Sequence, residues 1–225
     1  MKKGKLIVIE GTDCSGKETQ AKLLLERLKK DNIRIEERAF PMYHTPTGKI
    51  IGASLLGKPA MGESVFGENA SKVNPKVAAL YYAADRLYNI DSIKELLNSG
   101  VNVILDRYVE SNMGHQAGKL KSKTEKIDMM NWLEKLEYDL LELPKPDLVI
   151  FLFMPYQYTI ELRNMRGEAP DEVEKDIEYL HNAEETYSLM AKRYNYDIVY
   201  CVKDDKIRTI EDISDDVYNL VKNEL

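Results

Sequence analysis

The chain reads as an α/β protein, a parallel β-sheet covered by helices on both faces with a phosphate-binding loop at its first strand-to-helix junction. Three observations predict this. Strand-like runs recur at 5–9, 34–39, 101–105, 148–153 and 197–201, and the stretches between them carry apolar residues three and four apart. Strands that alternate with helices form parallel sheets buried on both sides. The first run, Leu6-Ile7-Val8-Ile9, leads directly into Glu10-Gly11-Thr12-Asp13-Cys14-Ser15-Gly16-Lys17-Glu18-Thr19, which has the G-x-x-x-x-G-K spacing.

The loop stands between a buried strand and a helical pattern of Ala21, Leu24, Leu25 and Leu28. Gly11 and Gly16 let the backbone curl round an anion without a Cβ clash. The amides of residues 14 to 19 can then converge on a triphosphate at a helix N-terminus, where the dipole favours negative charge. Lys17 reaches the outer phosphates as a mobile charge. Gly11 to Thr19 is therefore the expected ATP site. One letter departs from the pattern: Glu18 stands where a Ser or Thr hydroxyl usually ligates magnesium, and Thr19 follows it.

Further along, Asn74 can cap a helix with Pro75 at its first position, and Gly100 can close it. The segments 126–141, 172–194 and 209–222 are also helical in pattern. Two stretches resist assignment. Residues 57–73, rich in Gly and Ser, read as a mobile excursion. Residues 163–171, short and charged, read equally well as an arginine-bearing lid or a plain connector.

Composition narrows the classes. With 225 residues and 44% hydrophobic content the chain can bury a full core, and no linker or repeat divides it. A net charge of −6 argues against broad nucleic-acid binding. Two cysteines fit a reducing compartment. No apolar run approaches membrane-spanning length, and Met1-Lys2-Lys3-Gly4 leaves no room for a signal peptide. The expectation is a cytoplasmic protein with no membrane contact.

In such a sheet ligands bind beyond the carboxyl ends of the strands. The third strand ends Leu105-Asp106-Arg107-Tyr108 on that rim. The pair is either a structural ion pair or working chemistry, with Asp106 near Mg²⁺ and Arg107 a fork for an acceptor phosphate. A loop after it, Ser111 to Gln116, carries amides that could read a base edge or a sugar. Tyr82 and Arg86 lie four apart on one helix face, an arrangement suited to a nucleobase, although tyrosines at this spacing are more often core.

Taken in order, these residues resemble the thymidylate kinase family, which transfers the γ-phosphoryl group of ATP to dTMP. The agreement runs through the loop with Asp13, Phe40-Pro41, Tyr82 and Arg86, Asp106-Arg107-Tyr108, Ser111-Asn112, Gln116, the run 143–148, the arginine segment and Tyr187. The resemblance implies a P-loop nucleoside monophosphate kinase fold: a three-layer sandwich around a five-stranded parallel sheet, one domain over 1–225 with a lid at about 163–171, and usually a homodimer. It implies that Tyr82 stacks on thymine, Arg86 recognises the base, and Arg107 holds the dTMP phosphate. It further implies that Ser111, Asn112 and Gln116 fix the nucleoside, Phe40-Pro41 shapes the acceptor site, and Tyr187 closes over it. Asp13 would lie near the sugar and the metal. His115 stands where the family commonly has Tyr or Phe near the deoxyribose. The phosphate loop holds no arginine, so Arg163 and Arg166 match the class whose lid arginines offset transition-state charge.

Three rivals remain at this level. One is a P-loop kinase for another monophosphate, nucleoside or small acceptor. Another is a hydrolysing switch, although no N-K-x-D guanine motif is present. The third is an inactive nucleotide binder.

Overall fold

The computed structural model describes residues 2–12, 14–58, 60–66, 70–159, 162 and 177–225. Asp13, Arg163, Arg166 and the expected lid at 163–171 lie outside them.

Five parallel strands make the sheet: β1 (Leu6–Gly11), β2 (Ile35–Ala39), β3 (Asn102–Asp106), β4 (Leu148–Phe153) and β5 (Asp197–Tyr200), in the order β2-β3-β1-β4-β5. A two-stranded ribbon, β6 (Val202–Lys203) with β7 (Lys206–Ile207), follows β5 and was not expected from the sequence. The helices are α1 (Lys17–Lys30), α2 (Pro46–Ile50), α3 (Pro75–Asn98), α4 (Val109–Gly118), α5 (Lys123–Glu134), α6 (Ile177–Tyr194) and α7 (Ile210–Glu224). Helices α2 and α5 run on into π-helical turns, Ile51–Leu55 and Lys135–Leu140.

Strand β1 is buried throughout, and its side chains serve the two faces alternately. Leu6 and Val8 join the core under α3 to α6, whereas Ile7 and Ile9 join the core under α1 and α7. Glu10, next in the alternation, falls on the α4 and α6 side inside apolar surroundings. The register Ile9↔Asp106 sets the phosphate loop beside the Asp106-Arg107 turn, because β1 and β3 are neighbours in space though not in sequence.

The start of α3 is as its sequence demands: the Asn74 side chain accepts the amides of Lys76 and Val77, and Pro75 takes the first position. Gly100 closes it in the left-handed region, φ 75°. The expected loop over Ser111–Gln116 is instead helix α4. Val109, Met113 and Ala117, four apart, bury one stripe in the core, and this packing outweighs the weak propensity of Gly114 and Gly118. The described parts of 57–73 do not stand apart from the body either. Ala70 and Val73 are buried, and Lys119 of the chain after α4 donates from Nζ to both their carbonyls at 2.9 and 3.0 Å.

Candidate active site

A cleft of about 720 Å³ opens over the carboxyl ends of β1, β2 and β3. On one side the phosphate loop lines it with Cys14, Gly16, Lys17, Glu18 and Thr19. Gly16 is left-handed (φ 85°), as is Cys14 (φ 56°). Gly11 is required by space: a Cβ there would come within 2.5 Å of Ser15 Oγ and 2.6 Å of the Leu152 carbonyl. The Thr12 hydroxyl donates to the Met154 carbonyl at 2.8 Å, fixing the loop's entry, and Ser15 is buried beneath it. Lys17 Nζ donates to the carbonyls of Gly11 (3.0 Å) and Thr12 (2.8 Å), folded back along its own loop. Glu18 is exposed and pairs with Lys22 one turn along the helix at 2.5 Å, so its carboxylate lies along the outer face of α1.

Opposite the loop stand Asp106 and Arg107. Asp106 is buried, and that burial pushes its carboxyl above the usual range against the pull of Arg107 and Lys17. Its Oδ1 has no hydrogen-bond partner among the described residues. Arg107 takes a left-handed backbone, φ 68°, unusual for a branched-free but long side chain and held from behind. Glu10 supplies that hold. It accepts the Tyr108 amide at 2.9 Å, the Ser111 hydroxyl at 2.8 and 2.9 Å, and the Tyr187 hydroxyl at 3.3 Å. Burial raises the Glu10 carboxyl, and Arg107 is the largest opposing influence.

The far end of the cleft is lined by Phe40, Pro41, Tyr82, Arg86, Asn112, His115 and Gln116. Arg86 is only 2% exposed and forms a two-point ion pair with the fully buried Glu137: Nη2 reaches Oε1 at 2.7 Å and Nε reaches Oε2. Its Nη1 donates to the Tyr108 carbonyl at 3.2 Å. Asn112 Nδ2 donates to Glu137 Oε1 (2.9 Å) and the Ala79 carbonyl (3.1 Å). Two acceptors therefore fix which end of that amide is nitrogen. Its Oδ1, and Gln116 Oε1, are buried without a partner among the described residues. Phe40 and Pro41 are joined by a cis peptide, and Asp85 pins the chain after them by accepting the Met42 amide (2.9 Å) and the Thr47 hydroxyl (2.7 Å).

Most of the residues singled out from the sequence thus meet in one cleft. Tyr187 does not. It is fully buried behind α4, stacked on Phe151, and Gly114 makes room for its ring. Tyr179, two turns earlier, is the α6 tyrosine that lines the cleft. Glu10, Asp85, Glu137 and Tyr179 were missed. Glu10 ends an apolar run of the sequence, whereas Asp85 and Glu137 give no comparable local signal.

The comparisons with known proteins agree with this geometry. The thymidylate kinase family model matches residues 9–213. The thymidylate kinase of Plasmodium falciparum (isolate 3D7) is 32% identical over 217 residues, covering 96% of this chain and 89% of that one. That of Schizosaccharomyces pombe is 31% identical over 221 residues, covering 98% and 93%. A solved thymidylate kinase from Candida albicans superposes with a TM-score of 0.73 at 26% identity, covering 98% of this chain and 92% of that one. With a phosphate loop facing an Asp-Arg turn across one cleft, and a match over nearly its whole length, the chain belongs to the thymidylate kinase family, whose members phosphorylate dTMP to dTDP at the expense of ATP.

Proposed function

We propose that dTMP lies in the far end of the cleft with its base on Tyr82 and its phosphate at Arg107, head to head with ATP phosphates cradled by residues 11–19. The observation that carries the base assignment is the buried, partnerless Asn112 Oδ1, whose orientation Glu137 and Ala79 dictate. A buried acceptor needs a donor. Thymine and uracil offer N3–H there, and cytosine, whose N3 is itself an acceptor, does not. Arg86 adds a guanidinium at the same wall, Gln116 and Ser111 complete the nucleoside's surroundings, and His115 lies beside Arg107 at the phosphate end.

Phosphoryl transfer asks for alignment and charge rather than covalent chemistry. Lys17 swings from its loop carbonyls to the transferring phosphoryl oxygens, and Arg107 holds the acceptor phosphate in line. Arg163 and Arg166 are assigned to the closing lid that excludes water. Asp106, which presents a buried oxygen without a partner among the described residues, would hold Mg²⁺ with Asp13 as the second assigned ligand, and the ion would supply positive charge to offset that of the phosphates. Among the described residues no group of three or more His, Cys, Asp or Glu could hold a metal ion.

The enzyme is further proposed to be a single domain over 1–225, cytoplasmic, feeding dTTP synthesis, and a homodimer. Support for the dimer is a stripe on α3 in which Val77, Leu80, Ala84, Leu87 and Tyr88 are all exposed. No helix among the described residues is long and apolar enough to cross a membrane. The deciding experiment is a coupled ADP-release assay with ATP, Mg²⁺ and dTMP, dUMP, UMP, dCMP, AMP or thymidine. Turnover should be strong with dTMP and poor with dCMP. Equal turnover of dCMP and dTMP would refute the Asn112 assignment, and sedimentation as a monomer at micromolar concentration would refute the dimer.

A further inference from the structure

Three side chains from three elements form a relay along the cleft wall. Tyr179, in the first turn of α6, lies with its hydroxyl 2.8 Å from His115 Nδ1, and the two rings stack with centroids 6.0 Å apart at 8°. On the other side of the imidazole, His115 Nε2 is 3.2 Å from Arg107 Nη1. A guanidinium can only donate, so Nε2 is the acceptor and Nδ1 carries the proton toward the Tyr179 oxygen. Tyr187 stands edge-on to the imidazole at 5.6 Å and closes its third side. The imidazole is thus held in one orientation and one tautomer, with its lone pair aimed at the arginine.

We propose that His115 is a positioning residue that, together with Tyr179, aims Arg107 at the acceptor's phosphate and so sets the enzyme's preference for a nucleoside monophosphate over the bare nucleoside. This rests on Arg107 being the phosphate-holding group. The physical reason lies in the length of the arginine side chain. The left-handed turn at Arg107, held by Glu10, fixes where the side chain starts. An arginine side chain loses rotamer freedom when it meets an anion. The hydrogen bond to a fixed imidazole is one restraint already in place before the ligand arrives, which is preorganisation. A Phe or Tyr ring at position 115 has no ring nitrogen to accept from Arg107, so this arrangement is a property of this chain's histidine.

The test is calorimetric titration of dTMP and, separately, thymidine onto the full-length protein and its variants. His115→Phe, which keeps a ring but loses the acceptor, should weaken dTMP by about 3- to 10-fold, the worth of one hydrogen bond. Thymidine, which has no phosphate to meet Arg107, should weaken less than about twofold by the same reasoning. His115→Gln, whose side-chain carbonyl can accept from Arg107, should recover much of the dTMP loss. Tyr179→Phe should give a smaller loss confined to dTMP. Equal weakening of both ligands by His115→Phe, or no weakening of either, would overturn the proposal. Arg107→Ala is measured alongside: if it weakens dTMP while His115→Phe does not, the relay alone is wrong. If Arg107→Ala leaves dTMP affinity intact, the assignment of Arg107 fails and the relay fails with it.

Discussion

Glu137 is the residue on which the inner wall of the cleft depends, and removing it has a magnitude that can be worked out. Its two oxygens face Arg86 Nη2 and Nε, and Oε1 also accepts from Asn112. Glu137 is 0% and Arg86 2% exposed, so Glu137→Ala leaves a guanidinium buried without a counter-charge. Breaking one side of a buried pair costs about 3–5 kcal/mol. Asn112 keeps the Ala79 carbonyl but loses its charged partner, about 1 kcal/mol more. Equilibrium urea unfolding at pH 7 should therefore show a loss of roughly 4–6 kcal/mol, with weaker dTMP binding because the Asn112 amide is no longer fixed. The double variant Arg86→Met/Glu137→Leu separates the two effects. An apolar replacement of similar volume is often neutral or stabilising, so stability should return while dTMP affinity stays low. A loss below about 1 kcal/mol in Glu137→Ala, with dTMP affinity unchanged, would mean that water relieves Arg86, and the reasoning from burial would be wrong.

Burial lifts the Glu110 carboxyl to about 7, so the native state holds roughly one more proton than the unfolded chain between an ordinary glutamate pKa and that value. Stability from this group is present at low pH and is lost as pH rises toward 7, by about 3 kcal/mol, and Glu110→Gln should flatten that slope in urea titrations from pH 4 to 8. In Gly114→Ala the new Cβ would meet Tyr187 Cε2 and Cε1 at 2.6 and 2.7 Å; the ring is stacked on Phe151 and cannot yield, so thermal unfolding should reveal a loss of about 1–3 kcal/mol, partly restored by Tyr187→Leu. Gly11→Ala pushes on Ser15 and on the Leu152 carbonyl of the neighbouring strand, deforming the phosphate loop, so ATP titration should show a marked loss of affinity and urea unfolding a loss of about 1–3 kcal/mol.

The parts of the site legible in the sequence are those whose geometry is local. The phosphate loop needs only its own two glycines, the strand before it and the helix after it, and all three are contiguous. Asp106 and Arg107 could be placed on the rim because a strand's end is visible in its apolar run. Helix α4 was also legible in principle, since Val109, Met113 and Ala117 repeat every four residues, but Gly114 and Gly118 and a run of amides favoured a loop. Local propensity lost there to burial of the stripe. The glycine at 114 turns out to serve a contact with Tyr187, 73 positions away in the chain.

By itself, then, the sequence determined the α/β class, the five strands, the phosphate loop and the family resemblance, because hydrophobic period and glycine spacing act over a few residues. The tertiary structure alone decided which carboxylates are partners. Glu10 beneath the Arg107 turn, Glu137 behind Arg86 and Asp85 at the Phe40-Pro41 segment are ordinary acidic letters until the fold removes water from them. It also decided that Tyr179 faces the cleft and Tyr187 the core. Eight positions apart on one helix, the two differ only in what the rest of the chain packs against each, and no pattern within α6 carries that information.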